Sequence, residues 1–286
     1  MRCKHSLIAS LFCALSLSAQ SFLAAQSYDS PYSVKLTEPA EDLCQCESQS
    51  PRNDWKLESQ TPFEEWYSQS IRKKFQSWGP EPRHFPAPEG LERKSAEWKR
   101  QRLLAVAVRM IGLPYQHHHI PDWDPPADWP WKEVKYGCNS KGLDCSNFTG
   151  WLYNYGLGIK LNTNVEKQAD NHLIDAERTG GTPIEADVIT TNGTDKENYD
   201  LLKNGLKTGD LLYIQKRDED KISHVIMWVG AYGKAPNGVP LIIDCTGEGH
   251  KDSNGNDIPV GVYLRPFTLD SWYFKRFSHA HRIIRD

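Results

Sequence analysis

The second half of this 286-residue chain restricts the fold most, because its texture changes at Asp210. Residues 210–215 (DLLYIQ), 222–229 (ISHVIMWV), 241–246 (LIIDCT), 260–265 and 278–284 each read as a short strand bounded by turn-forming residues. In the second run, His224, Ile226 and Trp228 alternate with Val225, Met227 and Val229, the period-2 pattern of a strand with two distinct faces. Helical patterns come earlier. Leu103, Leu104, Ala107, Val108 and Ile111 form an apolar stripe over 95–111, which Gly112 and Pro114 end. Shorter helices are expected over 62–76, 165–176 and 198–204. Helices followed by an antiparallel run predict an α+β fold, helices packed on a sheet of about five strands.

Between the two halves lies Gly142-Leu143-Asp144-Cys145-Ser146-Asn147-Phe148. Phe148, Leu152 and Tyr155 fall on one helix face, and Gly156 is a plausible stop, so a helix is expected to begin at Cys145. Asp144 and Ser146 are both capping residue types. A thiol at this position meets free backbone N–H groups, and the helix dipole there favours a thiolate. An inert buried cysteine is the alternative. A nucleophilic thiol needs a base and the base an orienting group; His224 and Asp244, each a polar interruption of an apolar strand, fill those places. An acid amid Leu241-Ile242-Ile243 requires a partner, and a histidine on the neighbouring strand supplies one.

Residues 1–26 have Arg2 and Lys4, an uncharged apolar run from Leu7 to Leu17, and small residues at Ala24-Ala25. This is the pattern of a signal peptide, so the protein is expected to be exported, periplasmic or extracellular. No later run is long enough for a membrane span. Loss of the leader would take the formal net charge from −3 to −5, a poor balance for nucleic-acid binding. Cys44, Cys46, Cys138, Cys145 and Cys245 remain, an odd number that predicts disulfides plus a free thiol, assigned to Cys145. Residues 27–94 hold Trp55, Trp66 and Trp78 and are expected to wrap onto a main domain spanning 95–286. The loop 115–136, with His117-His118-His119, Trp123, Trp129 and Trp131, reads as a groove wall or as ordinary packing. Consecutive histidines diverge and cannot alone close a metal site, so neither a metal nor a cofactor is expected.

Four stretches in order, Gly112-Leu113-Pro114-Tyr115, Asp144-Cys145-Ser146-Asn147-Phe148, Leu206-Lys207-Thr208-Gly209-Asp210-Leu211-Leu212 and Ser223-His224-Val225-Ile226-Met227-Trp228-Val229-Gly230, resemble the signatures of the NlpC-type papain-like cell-wall endopeptidases. The resemblance spans about 95–286. It implies a papain-like α+β fold and hydrolysis of peptidoglycan stem peptides or muropeptides, typically between γ-D-glutamate and the diamino acid. It further implies Cys145 as nucleophile, His224 as base, Tyr115 at the oxyanion region, and Asp144 and Ser146 holding the peptide. Gln116 and Asn147 stand where the family often has glycine, and the third catalytic position, commonly histidine, falls to Asp244 or to His250. Two other readings share these residues: a thiol hydrolase or acyltransferase acting on a non-wall amide or ester, and a peptide- or glycan-binding module that has lost catalysis.

Overall fold

A computed structural model describes residues 35–36, 54–129, 141–174, 179–235, 238–251 and 255–286. The leader, Cys44, Cys46, Cys138 and Trp131 lie outside them. The helices are α1 (Gln69–Phe75), α2 (Ala96–Val108), α3 (Cys145–Leu157), α4 (Val165–Asp170), α5 (Lys196–Gly205) and α6 (Trp272–Lys275). The strands are β1 (Lys35–Leu36), β2 (Leu173–Ile174), β3 (Ile184–Glu185), β4 (Asp187–Thr190), β5 (Leu211–Gln215), β6 (Ile222–Trp228), β7 (Gly233–Lys234), β8 (Leu241–Thr246), β9 (Gly261–Pro266) and β10 (Phe277–Arg282).

Six strands form one antiparallel sheet in the order β4-β10-β5-β6-β8-β9, while β1-β7 and β2-β3 are small antiparallel pairs. The fold is α+β, as the order of patterns predicts. The expected sheet of about five strands gains β4, a four-residue run (DVIT) with no fully buried residue, which pairs with β10 and packs Ile189 against the core. The helix expected over 165–176 stops at Asp170, and the chain turns into β2. Gly156 does not end α3: it lies inside the helix against Leu103, and Gly158, at a φ of 70°, caps it.

Alternation along the strands sorts side chains onto two faces. Val225, Met227, Ile243, Cys245, Val262 and Leu264 join the cluster that holds α2 and α3. Ile226, Trp228, Ile242 and Leu212 join the other, with Tyr199, Leu202, Tyr273 and Phe274 from α5 and α6. Each large apolar side chain buried this way contributes roughly 1.5–3 kcal/mol relative to exposure.

Helix α3 is buried along its whole length, because something covers each of its sides. The sheet and α2 cover two sides, and the segment 81–87 covers another. Phe85 packs edge-on against Trp151 and Tyr155 at 5.2 and 5.1 Å, and its N–H donates to Asn154 Oδ1 at 3.0 Å. Asn154 returns a bond to the Arg83 carbonyl at 2.7 Å. Trp66, Ile71 and Phe85 therefore belong to the same core as α2 and α3. Of the tryptophans before residue 95, Trp66 is fully buried, whereas Trp55 is 47% exposed and packs edge-on against Phe63 and Trp66.

Candidate active site

Helix α3 begins as its sequence requires. Asp144 is extended (φ −98°, ψ −178°) and its Oδ1 accepts the Asn147 N–H at 2.8 Å and Asn147 Nδ2 at 2.9 Å. Ser146 Oγ donates to the Thr163 carbonyl at 2.7 Å. Cys145 thus opens the helix, and its sulfur meets the backbone of Val225 and of Ser146. Strands β6 and β8 pair at Met227–Ile243 and Trp228–Ile242, and His224 and Asp244 lie beyond those pairs. The thiol reaches that end of the ladder at the backbone of Val225, the residue after His224.

His224 and Asp244 are joined directly, His224 Nε2 to Asp244 Oδ2 at 2.7 Å. Both are buried on the sheet face opposite α3. Burial alone would raise the Asp244 carboxyl, but the Arg265 guanidinium and the His224 hydrogen bond outweigh it and hold the group below the usual carboxylate range. An ionised Asp244 accepts the Nε2 proton, which leaves Nδ1 with the lone pair. No hydrogen bond between the imidazole and the thiol is formed among the described residues. His250 makes no such pair: it stacks flat on Trp272 at 4.5 Å, and burial lowers its pKa to about 4.

The thiol itself differs from expectation. Burial first, and the Asp144 carboxylate next, push Cys145 well above the usual thiol range, while hydrogen bonds from Val225 and Ser146 pull the other way. The resting group is a protonated thiol. The helix dipole and the N–H groups, which in isolation favour the thiolate, are outweighed by desolvation and by the cap's own charge. The cysteine count also resolves differently. Cys145 and Cys245 are both free, and Cys245 Sγ donates to the Leu143 carbonyl at 3.0 Å.

An open cleft of about 370 Å³ leads to Cys145, lined by Trp78, Tyr115, His117, Asp144, Ser146 and Ser223 among others. Tyr115 is held by a parallel bridge to Leu143, in which Gln116 N–H donates to the Leu143 carbonyl at 2.9 Å and Leu143 N–H to the Pro114 carbonyl at 3.2 Å. The 112–115 segment is fixed on its other side by β9, with Gly112 N–H on the Val262 carbonyl and Val262 N–H on the Leu113 carbonyl, both at 2.9 Å. His117 Nδ1 lies 3.5 Å from Asp144 Oδ2. The histidine triplet divides its work: His117 and His119 face the cleft beside Trp78, at ring distances of 4.9 and 5.6 Å, whereas His118 is buried against Trp123. Trp123 and Trp129 pack with Tyr67 in the core and form no part of the groove.

Sequence reasoning missed Trp78, because it lies 67 residues before Cys145 and reaches the cleft through packing of the 54–94 segment. It also missed Arg265 and Tyr273, which contact Asp244. An arginine inside the apolar run of β9 was the one available signal.

A free cysteine at a capped helix start, a histidine–carboxylate pair on neighbouring strands and a cleft ending at the thiol are the groups that thiol-based hydrolysis uses. Residues 132–247 match the NlpC/P60 family, and the chain carries an NlpC/P60 domain there. That family is generally one of cell-wall peptidases, typically cysteine peptidases. The matched segment includes Cys145, His224 and Asp244 and is narrower than the 95–286 over which the sequence resembles it. Two solved structures are similar. One is an NlpC/P60 family protein from Bacillus cereus ATCC 10987, at 18% identity and a TM-score of 0.36, over 70% of this chain and 42% of that one. The other is a protein similar to lipoprotein of the NLP/P60 family, from Staphylococcus aureus subsp. aureus Mu50, at 16% identity and a TM-score of 0.34, over 66% of this chain and 42% of that one. The chain thus spans less than half of either structure. No curated protein matches the sequence. Among the described residues no helix is long and apolar enough to cross a membrane.

Proposed function

We propose that the protein is an exported cysteine endopeptidase that hydrolyses peptidoglycan stem peptides, at the amide between γ-D-glutamate and the diamino acid. The observation that carries the reading is the His224–Asp244 pair at 2.7 Å, one residue from the Val225 backbone that meets the Cys145 sulfur. Because the resting sulfur is a thiol, attack and proton removal are coupled. His224 Nδ1 takes the thiol proton as Sγ attacks the amide carbonyl, and Asp244 stabilises the imidazolium. Backbone N–H groups at the start of α3, with Tyr115 beside them, stabilise the oxyanion. The imidazolium then protonates the departing amine, and water, deprotonated by the same imidazole, cleaves the thioester.

Asp144 and Ser146 hold the peptide at the cleft. Asp144 does so through Oδ2, since Oδ1 is occupied by the helix cap. The residues before 95 act as an extension that completes the cleft with Trp78, and 95–286 is the peptidase domain. Hydrolysis of soluble muropeptides followed by chromatography tests the assignment. Cleavage is expected with the wild type and none with Cys145→Ala. Equal rates in the two proteins would refute it.

A further inference from the structure

The Asp244 carboxylate serves more than the imidazole. Its Oδ2 takes the His224 Nε2 contact and a 3.1 Å bond from Tyr273 Oη, while Oδ1 is held by Arg265 Nε. Asp244 is 0% exposed and Arg265 is 1% exposed. The guanidinium is itself anchored, with Nη2 donating to the Gly261 carbonyl at 2.8 Å. Asp244, Tyr263 and Arg265 lie on the same sheet face, and the register sets Asp244 opposite Tyr263. The arginine therefore reaches the carboxylate along its own strand. Two isolated charges would not be buried at this depth; each is tolerated because the other is there.

We propose that Arg265 is a positioning residue of this site: it fixes the carboxylate plane on His224 and offsets its charge, so that the imidazole is oriented without being locked as imidazolium. A lone buried carboxylate beside an imidazole favours the charged ring, which is a poor base for a protonated thiol. With Arg265 on the other oxygen, the carboxylate still accepts the Nε2 proton while its field at the ring is reduced. The proposal rests on the reading of His224 as the base.

The groups around His224 are Asp244 from β8, Tyr273 and Trp272 from α6 and His250 from the β8–β9 connection, with Arg265 from β9 on the other oxygen of Asp244. Only Asp244 and Arg265 among them carry charge at neutral pH. Removing the guanidinium therefore leaves the carboxylate acting on the ring without a counterweight.

The test is an NMR titration of the His224 ring in Cys145→Ala protein, with and without Arg265→Met. The midpoint is expected to rise by about one pH unit. Arg265→Lys, which keeps the charge, is expected to return it toward the wild-type value. A role confined to stability would lower the melting temperature and leave the midpoint in place, and that result overturns the proposal. If the uncompensated carboxylate prevents Arg265→Met from folding, Asp244→Asn is compared with Asp244→Asn/Arg265→Met, which buries no unpaired acid. The double variant is expected to titrate higher, and equal midpoints again overturn the proposal. Because the readout is the ring and not turnover, failure of the peptidase reading leaves this result separately legible.

Discussion

Gly142, three residues before Cys145, is the position where one methyl group should do most damage. Its φ is +138°, in the region that side chains rarely adopt, and a Cβ there would lie 2.0 Å from the Pro114 carbonyl oxygen and 2.8 Å from its carbon. The obstacle is backbone on a segment held from both sides, so it cannot turn aside as a side-chain tip would. To make room, the 114–116 segment must leave Leu143, which breaks the Gln116 and Leu143 hydrogen bonds described above. Each such bond is worth about 1 kcal/mol net, and the backbone strain adds about 1 kcal/mol more. A destabilisation of about 3 kcal/mol follows for Gly142→Ala. In a protein of this size that corresponds to a fall in melting temperature of about 6–12 °C by calorimetry. Because the same movement carries Tyr115 away from Cys145, hydrolysis should fall further than stability explains when measured well below the melting point. Gly205→Ala is the control: its Cβ meets nothing within 4 Å, and it ends helix α5 on the surface. A Gly142→Ala protein that melts within about 3 °C of wild type with unchanged activity would refute the reasoning.

The double duty of Asp144 separates by charge and shape. Asp144→Asn keeps a good cap and removes the carboxylate, so stability should change by less than about 0.5 kcal/mol while iodoacetamide labelling of Cys145 moves to lower pH. Asp144→Ala should show the same labelling shift together with a loss of about 1 kcal/mol of stability. Labelling that stays put or moves to higher pH in both variants would contradict the cause assigned to the raised thiol. Acid stability follows from His118 and His281, each lowered to about 3, first by burial and then by neighbouring histidines. Both are neutral when folded but take up a proton near pH 6.5 when unfolded. The unfolded chain therefore binds more protons between about pH 3 and 6.5. The stability they contribute is complete above 6.5 and is lost as the pH falls, each at up to about 1.4 kcal/mol per pH unit. A melting temperature measured from pH 7.5 to 4.5 should decline below about pH 6, less steeply in His118→Gln. A rise on acidification would show the sign to be wrong.

Much of the sheet and the helix start was legible because periodicity and capping are local. The 241–246 run became β8 at the same bounds, and Asp144 became the cap its type predicts. His224 and Asp244 stood out as polar residues in apolar strands, and that oddity is what a buried hydrogen-bonded pair looks like in sequence. What lay hidden depends on tertiary distance. β4 is only four residues long, too short for an alternation to show, and Trp78 lines the cleft although it lies far from Cys145 in the chain. The state of the Cys145 thiol was misread for the same reason. Helix-end electrostatics is a local inference, whereas burial by the sheet and the surrounding helices is set by the whole fold. Arg265 could have been suspected as the second charged residue in an apolar strand, but its partner is 21 residues away.

The most direct test of the account is a mass-spectrometric digest of purified peptidoglycan by the wild-type protein and by Cys145→Ala. The account predicts stem-peptide fragments newly ending at γ-D-glutamate, paired with fragments that begin at the diamino acid, from the wild type alone. The same fragments from both proteins, or an intact wall with both, would contradict it.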